Sequence, residues 1–195
     1  MNVKRTADRQ WIESAVAQYE GPLILYASRL LNDLDRARDV VQDTFLRLWQ
    51  ADRPAVEGHL ARWLYTVCRN RALDVRRKEL RMTTLRDSQL DSAGAKGGND
   101  PGPYPFPASG SATDELREAP SRGGGRPILA LVAALPARQQ EAVRLKFQAD
   151  LSYREIAEVM NTTVNNVGVL LHTAIKNIRT RLAEPPDSTT AREAQ

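Results

Sequence analysis

Between Thr83 and Arg126 the chain has little with which to build a core. Gly94-Ala95-Lys96-Gly97-Gly98, Pro101-Gly102-Pro103-Tyr104-Pro105-Phe106-Pro107 and Ser121-Arg122-Gly123-Gly124-Gly125 punctuate it. Glycine keeps the backbone loose, and proline removes a hydrogen-bond donor and fixes φ. A structureless run this long does not belong inside one compact domain. It reads as a flexible linker, with at most a brief helical turn over Thr113–Ala119. The 195 residues therefore divide into a first domain over residues 9–82, a linker over 83–126, a second domain over 127–183 and a disordered tail over 184–195. Aromatic residues make up only 6% of the chain. That suits two small all-α domains better than one large β core.

In the first domain, Trp11–Glu20 places Ile12, Ala15, Val16 and Tyr19 on one helical face. Gly21-Pro22 is expected to break this helix, with Pro22 in the first turn of the next. Leu23, Ala27, Leu30 and Leu31 then align, and Asn32-Asp33 with Asp35 supplies turn and N-cap chemistry. Arg36–Gln50 separates into two faces at about 100° per residue. Ala37, Val40, Val41, Thr44, Phe45 and Leu48 form a core stripe. Asp39, Gln42, Asp43 and Leu46 fall on the opposite side. A solvated helix with one stray leucine would show the same spacing.

A further helix runs from Glu57 or Gly58 to about Leu80, with Leu60, Trp63, Leu64, Val67, Cys68 and Val75 expected inside. Arg62, Arg69 and Arg76 repeat every seven residues, with Tyr65 beside them. Two heptads span about 21 Å of helix. If that side faces out, it is a rail of guanidinium groups able to track a phosphate backbone, with a ring able to stack on an unpaired base. If it faces in, Tyr65 packs on a neighbour and the arginines pair with acids. From Leu60 to Met82 seven Lys or Arg stand against Asp74 and Glu79. This excess favours a polyanionic partner, although the net charge of the chain is only +4.

The second domain reads as four helices: Ile128–Leu135, closed by Pro136; Ala137–Gln148, with Val143 and Phe147 four apart; one capped by Ser152 with Glu155 at the capping-box position; and about Asn165–Leu182. Val167, Leu170, Leu171, Ala174, Ile178 and Leu182 are expected inward on the last. Asn161-Thr162-Thr163 separates the last two, and Ala157 lies where they cross. This is the pattern of a helix-turn-helix, which plain αα-hairpins share.

Several classes are excluded. Cys68 is the only cysteine, so there is neither an internal disulfide nor a cysteine zinc cluster. His59 and His172 lack metal-ligand spacing, and no metal or other cofactor is expected. Catalytic residues are not expected either: nucleophile elbow, phosphate-binding glycine loop and paired catalytic carboxylates are all missing, and no small-molecule substrate is implied. No apolar run approaches a membrane span, and MNVKRTADRQ leads into no signal-peptide core. Cytoplasmic location without membrane insertion is expected.

Two stretches together carry a resemblance. ARDVVQDTFLRLW with HLARWLYTVCRNRALDVRRK resembles the second conserved region of bacterial sigma factors. LPARQQEAVRLKFQADLSYREIAEVM with NVGVLLHTAIKNIRTRL resembles their fourth. Their order, with only a linker between, is similar to the extracytoplasmic-function (ECF) group of the sigma-70 family. The resemblance implies a transcription initiation factor that binds core RNA polymerase and directs it to promoters. Asp39, Gln42, Asp43 and Leu46 would then dock on the clamp helices of the largest polymerase subunit. Arg62, Arg69, Arg76 and Arg77 would hold phosphates at the −10 element, with Tyr65 beside them and Asn70 placed to read a non-template base. Trp63 is open between packing and base stacking. An anti-sigma factor is expected as a further partner.

The final helix departs from the family pattern, which reads close to GTVKSRLHRAR. Basic residues at outward positions are replaced by Gly168, Leu170, Thr173 and Ile175. Asn165, Asn166, His172 and Lys176 remain as polar candidates for the −35 element. Gly168 and Val169, with Leu170, form either part of the DNA face or an apolar patch for protein. The competing reading of the whole chain is a conventional helix-turn-helix regulator with a sensory or protein-binding N-terminal domain.

Overall fold

The computed structural model describes residues 2–88 and 125–183. They are helical with short connections and, among the described residues, no strand. The helices are α1 (Asn2–Leu31), α2 (Leu34–Gln50), α3 (Arg53–Val56), a 3-10 turn over Glu57–His59, α4 (Leu60–Ser88), α5 (Gly125–Ala133), α6 (Ala137–Phe147), α7 (Tyr153–Val159) and α8 (Val164–Ala183). They fall into two compact units, α1–α4 and α5–α8.

In the first unit α1, α2 and α4 pack on one another. The expected break at Gly21-Pro22 does not occur, and α1 runs through it. Both residues lie on the exposed side, where the carbonyl left without a donor by Pro22 can be hydrated. Ala15 before the proline and Leu23, Tyr26, Ala27 and Leu30 after it are all buried. Burial on both sides of the defect outweighs its local cost. The chain then turns at Asn32, whose φ of 55° is one asparagine tolerates. Asp33 caps α2 by accepting the Arg36 amide at 3.0 Å. The α2 core stripe is as expected: Ala37, Val40, Val41, Thr44 and Leu48 are buried, and Phe45 is half-buried.

The inner face of α4 differs from expectation. Leu64, Tyr65, Cys68, Arg69 and Ala72 are buried, while Leu60, Trp63, Val67 and Val75 are only half-buried. The helix is turned by somewhat less than one residue's rotation, about 100°, from the hydrophobic stripe. Tyr65 and Arg69 point inward because their long stems pack like apolar groups. The helix also continues to Ser88, beyond the expected end near Leu80. The turn expected over Thr113–Ala119, most of the linker and the tail lie outside the described residues.

In the second unit α8 packs on α5, α6 and α7. Its first helix begins at Gly125 and ends at Ala133, earlier at each end than expected. Gln140 donates from Nε2 to the carbonyls of Ala133 and Leu135 at 2.8 and 2.7 Å. These bonds satisfy acceptors left open where α5 ends. Two expected core residues are outside: Phe147 is 66% exposed, at the last residue of α6, and Leu182 is 54% exposed. Both sit at helix ends, where no neighbour continues to cover the stripe. Leu170 and Ile178 are half-buried, while Val167, Leu171 and Ala174 are fully inside.

Candidate functional site

On α2 the outward line consists of Asp35, Asp39, Gln42, Leu46 and Trp49. All are exposed and lie within about 80° of one another on the helical wheel. Leu46 and Trp49 are 60% and 62% exposed. Two large apolar groups one turn apart, beside a carboxylate and an amide, make an anchor with a polar rim. Trp49 is absent from the sequence-based candidates, although it stands three residues after Leu46. Asp43 lies on the flank of this line, half-buried. Its Oδ2 accepts from Arg71 Nε at 2.8 Å, and Arg71 Nη2 stands 2.7 Å from the same oxygen.

On α4 the structure divides the seven candidates. Tyr65 is 3% exposed, and its ring meets that of Tyr26 edge-on at 5.2 Å and 77°. Burial pushes its hydroxyl up from the usual 10.0 to about 12. Arg69 is buried too, so the expected rail of three outward arginines with an outward ring is not formed. The cause is the rotation described above: the wheel line through positions 62, 69 and 76 borders the core instead of opposing it. Arg62 and Arg76 are half-buried, and burial holds the Arg76 guanidinium below its ordinary value. The outward line is instead Trp63, Asn70 and Arg77, which also repeats every seven residues. Trp63 is half-buried; Asn70 and Arg77 are exposed. Arg77 bonds Asp74 one turn back at 2.8 Å. A ring, an amide and a guanidinium thus share one face, a set able to stack, pair and hold a phosphate.

Cys68 lies on the inner side of α4, and burial pushes its thiol up from the usual 9.0 to about 12, against a smaller opposing effect of a bond with Thr44. A thiol so held is unreactive at neutral pH.

In the second unit Ser152 caps α7 in a full capping box. Its Oγ accepts the Glu155 amide at 3.3 Å, and Glu155 Oε2 accepts the Ser152 amide at 2.8 Å. Asn161, at φ 49°, turns the chain after α7. Asn166 is committed to this turn: its amide donates to Thr163 Oγ1 at 3.2 Å and its Nδ2 to Thr162 Oγ1 at 2.8 Å. The exposed line on α8 is Asn165, Val169, His172, Lys176 and Arg179, within about 80° on the wheel. Gly168 lies at its edge, and a Cβ there would meet no atom within 4 Å. Arg179 was not singled out in the sequence; the continued period of α8 brings it into line.

Residues 15–82 match the family model of Sigma-70 region 2, and residues 125–178 match that of Sigma-70, region 4. The ECF RNA polymerase sigma factor SigL of Mycobacterium tuberculosis is 31% identical over 163 residues, 82% of this chain and 81% of the relative. The chain belongs to the ECF group of sigma-70 factors. RNA polymerase sigma factor YlaC of Bacillus subtilis is 25% identical to this factor over 189 residues, 96% of this chain and 97% of the relative. A solved structure of the sigma factor RpoE in complex with the anti-sigma factor NepR from Bartonella quintana has a similar fold. Its TM-score is 0.56 at 20% identity, covering 87% of this chain and 95% of that one. Among the described residues, no helix is long and apolar enough to cross a membrane, and no group of His, Cys, Asp and Glu is placed to hold a metal ion.

Proposed function

We propose that this sigma factor docks on core RNA polymerase through the exposed line of α2, the clamp helices of the largest subunit receiving Leu46 and Trp49 with Asp39 and Gln42 around them. The exposed Leu46–Trp49 pair carries this reading. Solvent contact gives no return for two adjacent large apolar side chains on a helix whose opposite face already fills the core. The outward line of α4 engages the −10 element once its strands part. Trp63 supplies a stacking surface, Asn70 an amide for a base edge, and Arg77, flanked by Arg62 and Arg76, charge for the phosphates. The line on α8 enters the major groove of the −35 duplex, where Asn165 suits adenine and Val169 suits a thymine methyl. The factor works in the cytoplasm and supplies specificity, while the polymerase performs the chemistry. An anti-sigma factor covering these faces would hold it inactive.

The test is binding to core polymerase followed by transcription from a promoter library. Trp49→Ala and Leu46→Ala are expected to weaken core binding by about 2 kcal/mol each, roughly thirtyfold, with promoter-specific transcripts lost in step. Core binding by neither the wild type nor any variant, with direct capture of duplex by the chain alone, would refute this reading in favour of a conventional regulator.

A further inference from the structure

We propose that Asp43 is a positioning residue: with Arg71 it locks α2 to α4, and the polymerase meets Asp39, Gln42, Leu46 and Trp49 but not Asp43. This rests on the docking reading of α2 and removes one residue from the docking face that sequence alone assigns to it. Arg36 and Asp43 occupy the same flank of α2, seven residues or about two turns apart. Their partners on α4 are Glu79 and Arg71, eight apart and in the opposite chain direction. Arg36 Nη1 meets Glu79 Oε1, and Arg36 Nε also reaches the capping residue Asp33 at 3.2 Å. Asp43 Oδ2 is gripped by two nitrogens of one guanidinium at 2.8 and 2.7 Å.

The polarity alternates: cation on α2 with anion on α4, then anion on α2 with cation on α4. Sliding one helix until Arg36 faced Arg71, or Asp43 faced Glu79, would set like charges together. The two pairs therefore fix register as well as attraction. The Asp43 and Arg71 side chains are 40% and 32% exposed, so the pair is partly shielded from solvent. Both of its contacts are charge-assisted. An Asp43 carboxylate already neutralised attracts a basic partner weakly, and freeing it means giving up both contacts. Its influence on docking runs through the placement of α2 against α4.

The experiment measures the affinity of the full chain for core polymerase in the absence of DNA. Arg71→Gln and Asp43→Asn should each weaken binding roughly five- to tenfold, and the double variant no further. The exchange Asp43→Arg/Arg71→Asp, which keeps the summed side-chain length, should recover most of the loss. Arg71→Lys should fall between wild type and Arg71→Gln. Binding that is unchanged or tighter in Arg71→Gln but weaker in Asp43→Asn would overturn the proposal, because it marks a freed carboxylate in direct contact. An exchange variant that melts like wild type yet binds no better than the single variants would overturn it too. Leu46→Ala and Asp39→Arg run alongside. If these lose binding while Arg71→Gln does not, only the positioning proposal fails. If both bind like wild type, the docking reading fails and takes the proposal with it.

Discussion

Replacing Tyr65 decides which side of α4 faces the core. The residue is 3% exposed and pairs edge-on with Tyr26, itself 5% exposed. Truncation to alanine would cost about 3–5 kcal/mol, a large part of the 5–15 kcal/mol typical of a whole domain. Tyr65→Leu is therefore the informative variant. It keeps much of the apolar volume and loses the ring pair, worth about 0.5–1.5 kcal/mol, together with some packing. The expected destabilisation is about 1–2 kcal/mol. In a unit of under 100 residues that lowers Tm by roughly 5–15 °C. Urea unfolding can be followed through Cys68, the chain's only cysteine, which is buried in the same unit. A thiol reagent then reports the first unit alone. A cycle with Tyr26→Leu should show coupling of about 0.5–1.5 kcal/mol. If Tyr65→Leu unfolds at the wild-type midpoint, shows no coupling to Tyr26 and yet abolishes promoter opening, the ring faces DNA and the rotation assigned to α4 is wrong.

Alkaline pH should loosen the first unit. Tyr65 and Cys68 both hold their protons more tightly when folded, at about 12 against the usual 10.0 and 9.0. Above pH 9 the unfolded chain therefore releases protons first, and stability that is whole below pH 9 drains between about 9 and 12, by several kcal/mol at most. Urea midpoints flat from pH 7 to 11 would contradict this. Gly168→Lys should stabilise α8 by up to about 1 kcal/mol, since a helix-interior glycine is costly and a Cβ there meets nothing. It should also tighten −35 duplex binding and steepen its salt slope by about one; a loss of stability would show that the site is not open. Ser152→Ala removes the box at the start of α7 and should cost the second unit about 0.5–2 kcal/mol, read by calorimetry. No change would mean that solvent replaces the box without loss.

What was legible in the sequence follows how sharply each helix divides into faces. On α2 the apolar residues are compact and the polar ones short, so core and outward lines were both readable, Trp49 apart. Ser152 and Glu155 announced their capping box because its chemistry is local. α4 was misread because its inner face contains Tyr65 and Arg69, whose heads are polar but whose stems fill space, while Val67 and Val75 sit at the boundary. Periodicity of residue type cannot weigh such side chains; only the neighbour does, here Tyr26 on α1. The Gly21-Pro22 break failed for a related reason. Local propensity proposed an end, and packing of Leu23 through Leu30 against the other helices overrode it. The pairs Asp43–Arg71 and Arg36–Glu79 join residues distant in sequence and leave no local trace.

Withdrawal of Arg69 into the core has a consequence for how the −10 strand is held. Outward-facing Arg62, Arg69, Arg76 and Arg77 would form four phosphate contacts and a salt slope near −2.8 for a single strand, at about −0.7 per contact. With Arg69 inside the α4 share falls to roughly −2. The remaining affinity leans more on Trp63 and Asn70, whose contacts depend on the base. Phosphate contacts hold every sequence alike, whereas stacking and amide pairing do not. The same helix should therefore bind less tightly but discriminate more. Arg77→Gln in the holoenzyme should flatten the slope for a −10 single strand by about 0.7 while leaving Tm near wild type. Arg69→Gln should do the reverse, lowering Tm with the slope unchanged, because it leaves a buried site imperfectly filled. An Arg69→Gln variant that melts like wild type and flattens the slope would put Arg69 back on the DNA.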